Sequence, residues 1–289
     1  SAKVSGRAPM TPEARPPRAW GARALHLPSA FIPIIMTNPV TALLDRSVSD
    51  HMVTVESIVR KETIQWGDLA VSVPVTGMQR KPKQLNDPWL RKQVSSLPTI
   101  ARLVREGKLK LFTYAELRFE AFHASGPLRG VKGDLLEGLK VEHVPAAVER
   151  SKFQQSDISV HIQRGRFDEF YQFLLDLPDD VLESEPALWA RFSDFEQSNL
   201  RNLARFRAIS QHLPAKHYAD AYHLWTAEVN GLNYFLTMDK KFINYMTQTV
   251  RCTLPCIPIT PHDLVTRMGI LELDPLPIDD SEFHYIFEP

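Results

Sequence analysis

Short apolar runs, each bounded by polar or turn-forming residues, recur along the chain and predict the strands of a sheet. The predicted strands cover residues 41–44, 109–113, 139–144, 234–236 and 254–261. Helical patterns lie between several of these runs. One helix is predicted from residue 97 to residue 106, ending at Gly107, and another begins at Asp220 and ends at Asn230 and Gly231. The alternation is typical of a mostly parallel sheet covered by helices.

The middle of the chain is helical by pattern and predicts a helical insertion at about residues 150–215. Five of its apolar residues recur at the i, i+3, i+4, i+7 and i+8 spacing of one helix face. They are Phe167, Phe170, Tyr171, Leu174 and Leu175. Residues 45–71 mix helical and strand signals and stay unassigned, whereas residues 74–98 are rich in loop-forming residues.

One domain is predicted from residue 39 to residue 270, between an N-terminal arm and an acidic C-terminal tail at residues 271–289. Residues 1–38 are rich in Pro, Arg and Ala without a sustained period, so we expect a disordered arm outside the fold. Their Arg-rich, acid-poor composition also fits a transit peptide. Met36 immediately precedes the first strand, and we prefer it as the native start.

Two aspartates flank the helix–strand unit that begins at Asp220. The helix opens at Asp220, and Asp239 lies just past the strand Tyr234–Leu236. About eleven helical residues at about 1.5 Å each span nearly the height of four or five extended residues at about 3.3 Å. A helix that descends one side of a parallel sheet therefore brings both carboxylates to the same edge, as half of a metal site. The alternatives are a helix N-cap for Asp220 and a turn residue for Asp239.

Two more acids are expected at that edge. Asp45 follows the first predicted strand and Glu116 follows the second, although Glu120 lies one turn later on the same helix face and competes with Glu116. Ligands of doubly wound sheets gather outside the carboxyl ends of the strands. Like charges about 4 Å apart repel by on the order of 4 kcal/mol at an effective dielectric of about 20, so clustered acids need a cation. Oxygen ligands favour Mg²⁺ or Mn²⁺. An ordinary turn is the alternative for Asp45.

Several of these segments resemble the motifs of the PIN domain family, metal-dependent nucleases with a compact α/β/α fold. DAYHLWTAE (residues 220–228) and YFLTMDKKF (residues 234–242) are similar to the third and fourth motifs. Residues 41–47, with Asp45 and then Ser47, look like the first motif, and residues 109–117, with Glu116, look like the second. The run at 254–264 resembles the last strand and closing helix. The likeness spans about residues 40–269, with a long unmatched middle.

The resemblance implies a three-layer α/β/α sandwich with a central, mostly parallel sheet, extended here by the helical insertion. It implies an endoribonuclease in which Asp45, Glu116, Asp220 and Asp239 hold one or two Mg²⁺ or Mn²⁺ ions and hydrolyse RNA. A toxin, a defence effector and an RNA-processing enzyme all fit, and an inhibitory protein partner and a homo-oligomer stay open. The rival expectations are a catalytically inactive PIN-like module that binds RNA or protein, and a structure-specific DNA nuclease.

Hydroxyl and basic side chains are candidates for binding the substrate phosphates. They are Ser47, Thr237, Arg80, Lys81, Arg201 and Arg205. Thr237 is equally suited to a strand, and basic runs are usually solvated faces. We expect Arg201 and Arg205 to lie one helical turn apart, where both could contact a phosphate backbone.

The composition excludes several other classes of protein. The chain carries 34 basic and 34 acidic residues, and five basic residues and one acid fall within the first 38. The remainder is therefore slightly acidic, unlike a general nucleic-acid coating protein. Two cysteines, Cys252 and Cys256, are too few for a disulfide framework and suit a reducing cytoplasm. No apolar run approaches the roughly 20 residues of a membrane span.

Overall fold

The computed structural model describes residues 38–122, 133–153, 168–179, 184–248, 252–278 and 283–285, without the side chains of residues 119–122. All of these residues belong to one unit, Met36–Pro289. Residues 1–37 of the predicted arm, residues 279–282 and 286–289 of the predicted tail, and Phe167 lie outside this description, as does the side chain of Glu120.

The elements alternate between strands and helices. The strands are β1 (Val40–Leu44), β2 (Val55–Trp66), β3 (Leu69–Arg80), β4 (Leu109–Thr113), β5 (Val141–His143), β6 (Tyr234–Leu236), β7 (Ile257–Ile259) and β8 (His284–Tyr285). The helices are α1 (Arg46–Met52), α2 (Pro82–Asn86), α3 (Pro88–Val94), α4 (Leu97–Arg105), α5 (Ala115–Phe122), α6 (Glu169–Asp176), α7 (Pro186–Trp189), α8 (Asp194–Arg201), α9 (Leu203–Ser210), α10 (Tyr218–Val229), α11 (Lys240–Gln248) and α12 (Pro261–Arg267).

Five parallel strands form the central sheet in the order β5-β4-β1-β6-β7. Alternate residues of β1 belong to different cores, because successive side chains of a strand point to opposite faces. Ala42 and Leu44 pack in one core cluster, whereas Leu43 packs in the other. Helices cover both faces, so the predicted three-layer α/β/α sandwich with a parallel central sheet is confirmed.

The sequence patterns located the elements of this sheet closely. The predicted strands at 109–113 and 234–236 coincide with β4 and β6, and the predicted helix at 97–106 corresponds to α4. Gly107 follows that helix with φ +69°, a conformation that glycine adopts at little cost. No helix in the described ranges is long and apolar enough to cross a membrane.

The insertion contains the short helices α6 to α9, as the pattern predicted. Phe170, Tyr171 and Leu174 of α6 are buried in the core cluster that also contains α10. The prediction that Arg201 and Arg205 share a helix is wrong, because α8 ends at Arg201 and Asn202 leaves the helical conformation with φ −112° and ψ 31°. These helices add to the helical layer on one face of the central sheet.

A second sheet of three antiparallel strands, in the order β2-β3-β8, was not predicted. Strands β2 and β3 have twelve residues each and form a hairpin that turns at Gly67 and Asp68. The expectation of a loop-rich stretch at residues 74–98 is therefore wrong. Strand β3 continues to Arg80, and α2 and α3 follow it.

Candidate metal centre

The first predicted acid lies where the strand order of the central sheet reverses. Strand β1 pairs with β4 on one side and with β6 on the other, and the chain adds later strands outward in both directions. Asp45 is the first residue after β1, and its backbone N–H donates to the carbonyl of Leu236 at the end of β6. Ligands of open α/β sheets bind beyond the carboxyl ends of strands at such a point.

Asp220 and Asp239 converge on one histidine at this edge. Nδ1 of His217 lies 2.9 Å from Oδ2 of Asp220 and 3.6 Å from Oδ2 of Asp239. One ligand atom from each of these three residues lies within 4.8 Å of the others. The helix–strand geometry expected from the sequence therefore does bring the two aspartates together.

Asp239 has two separate structural roles, one for each carboxylate oxygen. Its Oδ1 accepts from the backbone N–H groups of Lys241 and Phe242, at 2.8 and 2.9 Å, and so caps the start of α11. Its Oδ2 faces His217. Asp239 is therefore both a turn residue before α11 and a neighbour of His217 in the cluster.

Asp45 is fixed by the two hydroxyl residues that were candidates for substrate binding. Oδ2 of Asp45 accepts from Oγ of Ser47 and, at 2.6 Å, from Oγ1 of Thr237. Oγ of Ser47 also accepts from the backbone N–H of Met238 at 2.9 Å, and Oγ1 of Thr237 accepts from the backbone N–H of Asp239 at 3.0 Å. Ser47 and Thr237 therefore hold Asp45 against the segment that carries Asp239, and their hydroxyl protons are engaged in that task.

The electrostatics of the cluster are most evident at Asp220. The pKa of Asp220 is raised from its ordinary 3.8 to about 6, chiefly by burial and also by the nearby charges of Asp45 and Asp239, against a hydrogen bond from His217 that lowers it. A raised carboxyl pKa means that negative charge is poorly compensated. A bound cation would supply the missing compensation.

His217 is the member of this cluster that sequence reasoning missed. It ends the short 3₁₀ turn Ala215–His217 directly before α10, and its side chain is only 4% exposed. The ring packs against Phe242 and Tyr245, and its buried Nε2 has no hydrogen-bond partner among the described residues. The sequence signal for His217 was its position three residues before Asp220. This spacing points to a shared site only when both residues are known to lie at the start of the same helix.

Glu116 opens α5 as expected, but its carboxylate is paired with an arginine. Nη2 and Nε of Arg150 lie 2.9 and 3.0 Å from Oε2 of Glu116, with both side chains almost completely buried. The Arg150 guanidinium also stacks over the rings of Phe170 and Tyr171 of the insertion. Within the described residues, Glu116 is not a member of the group formed by His217, Asp220 and Asp239.

A buried polar pair lies on the inner side of α10. Nδ1 of His223 lies 2.5 Å from the hydroxyl of Tyr114, and both side chains are fully or almost fully buried. The charge of His223 lowers the pKa of Asp220, in opposition to the larger effect of burial. His223 therefore contributes to the field at the site.

The basic candidates do not surround the cluster as free cations. Arg80 is 3% exposed at the inner end of the hairpin, and Nζ of Lys81 donates to the carbonyl of Asp50. Arg205 forms a two-point ion pair with Glu228 and also donates to the carbonyl of Thr253. The guanidinium of Arg201 lies 4.9 Å from the centre of the Trp189 ring. Each of the four has a structural contact of its own or is buried.

The donor set has the chemistry of a divalent-cation site. Two carboxylates and one imidazole offer oxygen and nitrogen ligands. The two aspartates keep 19% and 33% of their side chains exposed, so an ion could enter from solvent. The buried imidazole supplies the fixed side of the site.

None of the comparisons with protein-family models, curated proteins and solved structures gave a match.

Proposed function

We propose that this protein is a metal-dependent endoribonuclease of the PIN type. The observation that carries the proposal is the convergence of His217, Asp220 and Asp239, with Asp45 close enough to shift the pKa of Asp220. The sequence motifs at 220–228 and 234–242 support the family, and the position at the strand-order reversal supports a ligand site.

The residues have distinct proposed roles. Asp220, Asp239 and His217 would hold the cation directly, and Asp45 would add negative charge from the adjoining strand end. Ser47 and Thr237 keep Asp45 oriented through the hydrogen bonds described above. A bound divalent cation supplies a water of lowered pKa and polarises the scissile phosphate. No protein nucleophile is required for this chemistry.

RNA is the proposed substrate because the resemblance to the PIN domain family implies an endoribonuclease. Related acids could also serve a DNA nuclease. A parallel assay on the two nucleic acids separates these alternatives directly.

An inactive PIN-like binding module is the second candidate, and one observation favours it. Glu116, one of the four acids expected from the motifs, forms a buried ion pair with Arg150 that neutralises its charge. A site that lacks one of its acids would bind a cation more weakly and could have lost catalysis. The proposed catalyst therefore relies on three acids and one histidine.

The test is cleavage of a 5′-labelled single-stranded RNA and of the DNA of the same sequence, with Mn²⁺ titrated from zero. The wild type is compared with Asp239→Asn and with a control, Asp50→Asn, whose acid is on the surface of α1 and pairs with Arg46. We expect Mn²⁺-dependent RNA cleavage by the wild type and the control, and none by Asp239→Asn. Cleavage that persists in Asp239→Asn would refute the site, and no cleavage by any protein would favour the binding module.

We also propose a cytoplasmic location. The supporting observation is that Cys252 and Cys256 are both free thiols, one of them buried. Their retention as thiols suits a reducing compartment.

A further inference from the structure

The β2–β3 hairpin exposes large apolar side chains at its outer end. Ile64, Trp66, Leu69 and Val71 are 46%, 79%, 69% and 45% exposed. They form two cross-strand pairs next to the turn, Ile64 with Val71 and Trp66 with Leu69. These four residues are called the tip cluster below.

The strand register places the tip cluster on one face of the hairpin. Directly opposed residues of an antiparallel pair point to the same face, and residues two apart on a strand do so as well. Val73 and Val75 therefore share this face with the tip cluster, and so does Ile58 at the inner end. The opposite face is mostly polar, with pairs such as Thr63 with Ser72 and Gln65 with Ala70.

The inner end of the apolar face is covered by the chain itself. Strand β8 pairs with β3 at Gly77 and Met78, and a Cβ at Gly77 would collide with the ring of Phe283. Tyr285 lies opposite Gly77 and is 46% exposed. The described pairing of β8 with β3 thus ends at Gly77, six residues from Val71 of the tip cluster, a distance of about 20 Å at about 3.3 Å per residue.

The three charged residues on this face are already engaged, and Glu56 accepts from Nε2 of Gln79 at 3.2 Å. The guanidinium of Arg60 lies 4.5 Å from the centre of the Phe283 ring. The carboxylate of Glu62 accepts from the Tyr285 hydroxyl at 3.0 Å. One positive and two negative side chains leave the face without an excess of positive charge, so a nucleic acid finds no free cation there. Asp68 at the turn likewise opposes an anionic membrane surface.

We propose that this apolar face packs against the same face of a second copy of the chain. In a two-fold arrangement with antiparallel hairpins, the tip cluster of each copy would meet the aromatic inner end of the other, at Phe283 and Tyr285. The two ends of one face are thus complementary to each other, as an isologous interface requires. Packed sheets lie about 10 Å apart, which leaves room for these side chains.

The area of the face sets the expected strength. The tip cluster exposes on the order of 400 Å² of apolar surface, a size that often marks an interaction site. With the inner end included, two copies would bury about 1,000 Å² in total, the lower limit for a specific interface. We therefore expect a weak dimer with a micromolar Kd rather than a permanent one.

The test is sedimentation velocity of the full chain from about 1 to about 100 µM, a range that brackets the expected Kd. The disrupting variant is Trp66→Ser with Leu69→Ser. The matched control is Val59→Ser, because Val59 is 64% exposed but belongs to the opposite face. We expect the wild type and the control to reach a dimer that dissociates on dilution, and the disrupting variant to stay monomeric.

Two checks keep the outcome decisive. The tip lies outside the three buried core clusters, so the thermal unfolding midpoint of the disrupting variant should match that of the wild type. A wild type that stays monomeric at about 100 µM would overturn the proposal, whether or not it binds lipid vesicles or RNA. Open-ended association, or equal weakening by Val59→Ser, would overturn it as well.

Discussion

Replacing Asp220 with asparagine is predicted to stabilise the protein while it is free of metal. Burial raises the pKa of this carboxyl from its ordinary 3.8 to about 6, with further contributions from Asp45 and Asp239. The folded state therefore resists the ionisation of Asp220 more than the unfolded chain does. Stability from this group is fully present below about pH 4 and is lost as the pH rises through about 6.

The size of the effect follows from the shift. A difference of about two pKa units corresponds to roughly 3 kcal/mol at 1.36 kcal/mol per unit. An asparagine side chain carries no charge, so Asp220→Asn should raise the free energy of unfolding by on the order of 2 to 3 kcal/mol at pH 8. At pH 4 the two proteins should differ little, because Asp220 is then protonated in the folded state.

The assay is urea unfolding in the presence of a chelator, at pH 4 and at pH 8, followed by circular dichroism. Asp50→Asn is the control, since its carboxylate is 44% exposed and its removal should change stability by less than about 0.5 kcal/mol. Added Mn²⁺ should stabilise the wild type more than the variant. The reasoning would be refuted if the Asp220→Asn protein is less stable than the wild type at pH 8. It would also be refuted if the two proteins differ in their free energy of unfolding by the same amount at pH 4 and pH 8.

Three further predictions concern Glu116, Thr237 and His217. Glu116→Gln should lower the free energy of unfolding by about 3 to 5 kcal/mol in urea melts, because it leaves the Arg150 charge buried. The Mn²⁺ affinity of the Glu116→Gln variant, measured by calorimetry, should fall by less than the roughly 10-fold that is expected when a group supporting a ligand is lost. A larger loss of affinity would instead indicate that Glu116 is a ligand. Thr237→Val should reduce the RNA cleavage rate by about 10- to 100-fold, since Asp45 loses a hydrogen bond, and an unchanged rate would contradict that role. Electron spin-echo spectra of bound Mn²⁺ should show coupling to one imidazole nitrogen that disappears in His217→Gln, whereas coupling retained in the variant would exclude this ligand.

The central sheet could be predicted from the sequence because its signals are local. Strand β4 and helix α4 each bury a face whose periodicity is visible within about ten residues. The acids at the strand ends followed from the same pattern, since a parallel sheet brings the ends of its strands to one edge. Asp220 and Asp239 meet for that reason.

The hairpin escaped prediction because it buries so little of its own surface. Val71, Val73 and Val75 alternate as a strand should, and Gly67 with Asp68 is a two-residue hairpin signal. Pro74 and Gly77 interrupt the pattern within β3, and both are residues that disfavour the interior of a strand. The two strands are instead held by backbone pairing along their whole length, which a local sequence pattern does not reveal.

The partners of the site could not be read from local spacing. Arg150 lies 34 residues from Glu116, in a stretch where the sequence indicated only an insertion. The hydroxyl of Thr237 reaches Asp45 across 192 residues. His217 was closer to recognition, but its meaning depends on Asp239 lying on the facing strand end.

The most direct test of the central claim is an anomalous-diffraction measurement on crystals of the wild-type protein soaked in Mn²⁺. The account predicts a single strong peak within bonding distance of Asp220, Asp239 and Nδ1 of His217, at the carboxyl end of β1. Data of good quality with no peak at that position, or with the principal peak elsewhere on the molecule, would contradict it.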